Sequence, residues 1–159
     1  MQLLTFTVAG QTYAIESRRV VEVLPLVPAR PIPRTPHFVR GIFTYRGRLV
    51  PLIDLGLRLA DAAPVERLST RVIVVHYHPA AAPASPPALL GLVAEHVVSI
   101  CSSEQADVVA PAFAIPDAGF LGRLLRIRGR TIQVIEADQL LPATLAAGLF
   151  PAPTAEPAS

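Results

Sequence analysis

The sequence predicts a mainly β fold in which two small, related barrels pack together, with short helical turns between strands. Three observations predict it. Apolar residues make up 52% of the 159 positions yet fall in many short blocks of Val, Ile, Leu and Phe set off by Gly and Pro, the pattern of strands rather than of amphipathic helices. The 17 prolines break most helices longer than a few turns, because proline lacks the amide donor and clashes with the preceding turn; on exposed strands they also block edge pairing with other chains. Finally, Tyr45-Arg46-Gly47-Arg48-Leu49-Val50-Pro51-Leu52-Ile53-Asp54 aligns without gaps on Ile127-Arg128-Gly129-Arg130-Thr131-Ile132-Gln133-Val134-Ile135-Glu136. Each reads as a hairpin with an acidic stop. A repeated supersecondary unit in so short a chain points to paired barrels, since either alone has a marginal core.

Taken in order, Leu4, Phe6 and Val8 alternate with Leu3, Thr5 and Thr7, and Tyr13 and Ile15 resume the alternation after Ala9-Gly10-Gln11. The chain therefore opens with a hairpin. Ser17 to Arg19 reads as a capped turn, and residues 20–24 as a third strand that places Glu22 on one face with Val20 and Leu24. Five prolines between 25 and 36 predict an extended connection along an edge. Residues 35–41 predict one helical turn closed by Gly41. A strand over 42–45, the turn Arg46-Gly47 and a strand over 49–53, apolar on both faces, follow.

Residues 55–59 predict a short helical turn and 60–69 a polar connector. In the second half, strands at 72–75 and 89–93 are joined by a mobile Ala/Pro-rich loop over 78–88, and 97–100 extends the strand region. Ser102-Ser103-Glu104 predicts the start of a short helix, 110–119 is a Pro-containing loop, and 121–127 meets 131–135 across Gly129. A brief helix through Leu140-Leu141 closes the fold. The expected organisation is one domain over residues 1–150, with barrels at about 10–70 and 71–141 and the first strand crossing over, then a disordered polar tail at 151–159.

Composition narrows the function. The net charge is only +2, too small to imply nucleic acid, and every basic residue is Arg, whose planar fork suits protein or phosphate contacts. No apolar run approaches the ~20 residues of a membrane-crossing helix, so no direct membrane insertion is expected. Cys101 is the single cysteine, which rules out an internal disulfide, and the N-terminus lacks the basic region of a signal peptide; the expected compartment is the cytoplasm.

Several motifs together resemble one family. Phe6-Thr7-Val8, Tyr13-Ala14-Ile15 and Val20-Val21-Glu22-Val23 appear in the order found in CheW-family chemotaxis adaptors. The stretch from Pro36 to Leu55 is similar to the family pattern P-x-[FY]-[VI]-x-G-[VI]-x-x-x-R-G-x-[VI]-x-P-[VI]-[IV]-D-L. Gly91-Leu92-Val93-Ala94-Glu95-His96-Val97 stands where the family has G-[IL]-V-V-D-x-V. The resemblance runs from about Leu3 to Leu141. It implies two five-stranded SH3-like β-barrels, no catalysis, no cofactor and no metal. It also implies simultaneous binding to the cytoplasmic tip of a methyl-accepting-type chemoreceptor and to the regulatory domain of a CheA-type histidine kinase, with recruitment to membrane-associated receptor arrays. One departure is that Thr44-Tyr45 replaces the usual Asn-Leu before the Arg-Gly turn, which leaves partner preference open. The apolar stretch Leu24-Pro25-Leu26-Val27-Pro28, with Tyr45, fits an adaptor of a surface-sensing pathway as an alternative.

By the same resemblance, partner contacts fall on Arg46, Gly47 and Tyr45 at the first Arg-Gly turn, on Glu22 and Val20 of the third strand, and on Gly41. An Arg at a hairpin tip can fork onto a carboxylate or helix-end carbonyls, and Glu22 pairs with it if the third strand lies alongside. The plainer reading is that Arg-Gly only makes a turn, as Arg128-Gly129 does. Phe38, Val39, Ile42, Leu49, Leu52 and Ile53 are expected in the core rather than at a contact. His76 and His78 share a strand face without a further ligand cluster, so no metal is expected. Cys101 near His96 lacks the setting of a nucleophile and is expected to be a buried small hydrophobe. A small-barrel nucleic-acid binder remains the other class, resting on Arg123, Arg126, Arg128 and Arg130, but it needs aromatics among the arginines and only Phe120 is near.

Overall fold

The computed structural model describes residues 1–62, 69–79, 86–102, 104, 106–112 and 115–151. Among the described residues ten strands form one continuous network: β1 (Gln2–Val8), β2 (Gln11–Glu16), β3 (Val20–Pro25), β4 (Val39–Tyr45), β5 (Arg48–Asp54), β6 (Thr70–Tyr77), β7 (Ala88–Ser102), β8 (Asp107–Ala110), β9 (Leu121–Ile127) and β10 (Arg130–Ile135). Helix α1 (Leu55–Ala60) follows β5, a 3-10 turn (Ala137–Gln139) follows β10, and α2 (Ala143–Leu149) comes last. The expected disorder at 152–159 and most of the mobile loop at 78–88 lie outside the described residues.

The hairpins form where an X-Gly pair supplies the turn. Ala9-Gly10, Arg46-Gly47 and Arg128-Gly129 all have positive φ at both positions, 49° and 78°, 49° and 76°, 51° and 77°. Such two-residue turns match the right-handed twist of the strands they join.

Pairing sorts the strands into two five-stranded barrels, each with a short rim. In the first, β3 pairs β6, β6 pairs the first half of β7, β7 runs parallel to β5, and β5 pairs β4. An isolated bridge from Arg30 to Ile42 lays the proline-rich connection along β4 as its rim. In the second, the later half of β7 pairs β1, β1 pairs β2, β2 runs parallel to β10, and β10 pairs β9, with β8 as the rim. The repeated hairpins β4–β5 and β9–β10 thus occupy matching places, each bonded in parallel to a strand of its own barrel. The mainly β fold of paired barrels stands as expected.

The division at residue 70/71 is corrected by this pairing. β2 belongs to the second barrel because Gln133 and Val134 pair with Tyr13 and Ala14, and β6 belongs to the first because it lies between β3 and β7. The opening hairpin as a whole crosses over, not its first strand alone. β7, 15 residues long, serves both barrels. It bulges where it passes from one to the other: Thr5 pairs Ser99 but Thr7 pairs Glu95, and His96 takes φ of 48°, the local kink that an inserted residue produces.

The core explains strands that are apolar on both faces. Phe43, Val50, Leu52, Val72, Val74, Leu89 and Val93 fill the first barrel; Leu3, Ala14, Leu125, Ile127, Ile132 and Val134 fill the second. The alternate positions Leu4, Phe6, Ile53, Ile73, Val75, Leu90, Leu92 and Ile135 join Phe38, Phe120 and Leu140 in the largest cluster, which lies between the barrels. A junction strand is therefore buried on both sides, and each large side chain so buried contributes about 1.5–3 kcal/mol.

Two further expectations change. Gly41 does not close a helical turn: it sits inside β4 with φ of 140°, and a Cβ there would lie 2.1 Å from the Arg30 carbonyl oxygen. The rim crosses β4 at a distance only a glycine admits. Leu49 is 69% exposed rather than core, because β5 is flanked by β7 only from Leu52 onward and the hairpin tip overhangs the sheet. The expected helix through Leu140-Leu141 is divided between the 3-10 turn before that pair and α2 after it, while Ser102, the last residue of β7, starts a 3-10 turn as expected: Glu104 is in that conformation and its amide donates to Ser102 Oγ at 3.3 Å.

Candidate functional site

The tip of the β4–β5 hairpin brings three of the sequence candidates together. Arg46, at the first turn position, is 70% exposed. Its Nη2 donates to Glu22 Oε1 of β3 at 3.2 Å, although β3 pairs with β6 and not with this hairpin. Its guanidinium carbon stands 5.2 Å from the centroid of the Tyr45 ring, within the range of a cation–π contact. Tyr45 is 7% exposed and belongs to the first barrel's core. Its hydroxyl is buried beside the Glu22 side chain. The phenol pKa is raised, by burial first and then by hydrogen bonding to the Glu22 carboxylate, with Arg46 opposing.

The remaining candidates divide. Gly47 shapes the turn, with open space where a Cβ would go. Gly41 is enclosed by the Arg30 and Pro31 backbone and Val20 packs on the cluster between the barrels, so both belong to the framework rather than to the tip. A bulge between Val20 and Glu22 turns Val20 away from the face expected for it. One exposed apolar residue adjoins the tip where the sequence predicts core: Leu49. An apolar run gives no local sign of where its cover stops.

Below the tip, Asp54 fixes the hairpin's other end. Its carboxylate is 1% exposed, accepts from Arg40 Nε at 3.0 Å and caps α1 by accepting from the Leu57 amide at 3.1 Å, the N-cap role that carboxylates favour. Helix α1 then delivers Arg58 to the space between the barrels. Its guanidinium lies 4.9 Å from the Phe38 ring centroid and 4.7 Å from that of Phe120, and its Nε donates to the Leu140 carbonyl at 2.7 Å. Burial lowers its pKa, with Asp117 opposing. Extending the internal alignment carries Phe38 onto Phe120 and Arg58 onto Leu140, so one arginine bridges equivalent points of the two barrels. Across the junction, Arg19 pairs with Asp138, which also accepts from the His78 amide.

Among the described residues no three His, Cys, Asp or Glu side chains are grouped to hold a metal. No helix among them is long and apolar enough to cross a membrane. Cys101 is partly buried against the second barrel's core. An open groove of about 510 Å³ follows the rim of the first barrel, lined by Leu26, Val27, Pro28, Ala29 and Arg40.

Residues 2–144 match the family model of the CheW-like domain. The chain belongs to the CheW family. The CheW chemotaxis protein of Rhizobium meliloti is 26% identical over 143 residues, covering 89% of this chain and 87% of that protein. That of Klebsiella aerogenes is 27% identical over 142 residues, with 88% and 81% covered. The crystal structure of scaffolding protein TtCheW from Thermoanaerobacter tengcongensis superposes with a TM-score of 0.71 at 24% identity, over 89% of this chain and 87% of that one, and shares the two-barrel SH3-like fold. The CheW family is a non-catalytic scaffold that couples chemoreceptors and the CheA kinase, and this member is a chemotaxis coupling protein.

Proposed function

We propose that this chain links the cytoplasmic tip of a methyl-accepting-type chemoreceptor to the regulatory domain of a CheA-type histidine kinase, in the cytoplasm and within a membrane-associated array, and that it does so without catalysing a reaction. The receptor contact centres on Arg46, with Glu22, Tyr45 and Gly47 as its setting. The supporting observation is an exposed guanidinium held ready at a rigid tip, fixed by a carboxylate on one side and an aromatic ring beneath. An arginine so oriented loses less freedom when it forks onto a carboxylate or a helix-end carbonyl. The exposed side chain of Leu49 beside it offers an apolar anchor of the kind a docked helix uses. Membership of a coupling family supplies the class of partner.

The test is Arg46→Ala. Co-sedimentation with receptor-containing membranes is expected to fall while binding to the kinase regulatory domain and the melting temperature stay unchanged. Undiminished receptor co-sedimentation would remove Arg46 from the contact.

A further inference from the structure

The arginines of this chain fall into two groups. Arg18, Arg19, Arg40 and Arg46 each meet a carboxylate, of Glu16, Asp138, Asp54 and Glu22 in turn. Arg123, Arg126, Arg128 and Arg130 crowd onto the second hairpin and all four are exposed, yet none of them forms an ion pair among the described residues. Arg130 reaches Thr12 Oγ1 of β2 at 3.2 Å. Asp107 lies directly opposite Arg126 in the pairing of β8 with β9, but it stays exposed and does not close on it. Like charges gathered on one hairpin repel one another, so the free protein carries a small cost here that an incoming anion relieves.

The positions say which anion fits. Arg126 and Arg128 are one two-residue step apart, about 6–7 Å along a strand, and Arg130 stands across the turn. Alternate side chains of an extended peptide repeat at the same interval, and a guanidinium forks onto a carboxylate through two parallel bonds. β9, bonded to β10 on one side and to β8 on the other, holds Arg126 on a fixed backbone. Single-stranded nucleic acid needs rings to stack on, and among the described residues no Phe or Tyr is exposed. A bilayer surface needs apolar side chains to enter it, and Ile127, the apolar residue between Arg126 and Thr131, is buried.

We propose that the tip of the second hairpin docks an extended acidic segment of a partner protein, with Asp or Glu at alternate positions, through the guanidinium groups of Arg126, Arg128 and Arg130. It is the counterpart on the second barrel of the Arg46 tip on the first. There the arginine is held by this chain's own Glu22; here the arginines are left for carboxylates from outside. Recognition of an acidic motif by clustered arginines is steered by charge, so it is rapid and salt-sensitive. None of this requires that Arg46 meet the receptor.

The probe is a fluorescein-labelled peptide of alternating glutamate and serine, titrated with the full chain by fluorescence anisotropy at low salt. The unmodified chain is expected to bind it and to release it as salt is raised. Arg126→Gln/Arg128→Gln is expected to bind at least about tenfold more weakly, with an unchanged melting temperature. Arg34→Gln/Arg48→Gln removes the same charge from two exposed arginines elsewhere and is expected to change affinity by less than about twofold, as is Arg46→Ala. Equal weakening by the two double variants makes the attraction one of net charge and overturns the site, as does a failure of the unmodified chain to bind. Oligothymidylate or phosphatidylglycerol vesicles held through Arg126 and Arg128 more tightly than the peptide would overturn the acidic partner in favour of a nucleic acid or a membrane. Weakening confined to Arg126→Gln/Arg128→Gln, with the peptide the tightest of the three ligands, bears the site out.

Discussion

The two repeated hairpins share their turn geometry and their place in the barrel and differ in nearly everything that could bind or be bound. Arg46-Gly47 and Arg128-Gly129 adopt the same backbone angles. Their second strands run parallel to β7 and β2 respectively, and the residue after each second strand donates its amide to the preceding phenylalanine carbonyl, Asp54 to Phe38 at 2.7 Å and Glu136 to Phe120 at 2.8 Å. Yet Asp54 is buried, paired with Arg40 and caps a helix, whereas Glu136 is exposed and caps nothing. Arg46 is held by Glu22 and Tyr45; Arg128 is exposed at its own tip and follows Ile127 rather than a tyrosine. The repeat therefore specifies a scaffold, and specialisation lies in the side chains around each copy of it.

The largest expected effect tests the framework of the first copy. Gly41→Ala drives a Cβ into the Arg30 carbonyl at a backbone angle that disfavours side chains, and a loss of about 3 kcal/mol or more in denaturant unfolding is expected; Arg123→Ala, at the aligned and exposed position of the second copy, should change stability by less than about 0.5 kcal/mol. Next, Asp54→Ala removes a cap and a buried ion-pair partner of Arg40 together, for an expected loss of about 2–3 kcal/mol, against less than about 0.5 kcal/mol for Glu136→Ala. If both acids proved equally costly, the asymmetry drawn between the hairpins would fail. Arg58→Met keeps the aliphatic stem but removes the charge over both rings and the bond to Leu140, with an expected loss of about 1–2 kcal/mol; because it joins the copies, both barrels should melt together at the lower temperature. Smallest on stability is Arg46→Ala, within about 0 to 1 kcal/mol for an exposed pair, and Arg128→Ala should match it there. The two should part only in receptor binding, which Arg128→Ala is expected to leave intact.

How far the sequence reveals this architecture depends on the range of the interactions. The hairpins are legible because an X-Gly pair between alternating apolar residues is a local signal. A glycine after Phe38-Val39-Arg40 looks like a helix stop, while the constraint on Gly41 comes from Arg30 across the rim. The barrel boundaries are not legible, because a parallel bond between β2 and β10 leaves no mark near either strand. Nothing in the segment around Leu49 says where β7 ends its cover. The bridge made by Arg58 was invisible for the same reason, since both of its rings are distant in sequence.

The crossing of the opening hairpin into the second barrel has a consequence for how the chain is made. Residues 20–95 contain every strand of the first barrel in one stretch, so this unit can close while synthesis continues. The second barrel needs β1 and β2 from the very start and β9 and β10 from near the end, and pairings of such separation form slowly. Leu4, Phe6 and Val8 must therefore wait on the nascent chain, resting against the finished first barrel, until the last hairpin leaves the ribosome. A truncated product ending before β9 would leave Leu3 and Ala14, which pack on β9 and β10 in the finished chain, uncovered and ready for a chaperone or for another unfinished copy.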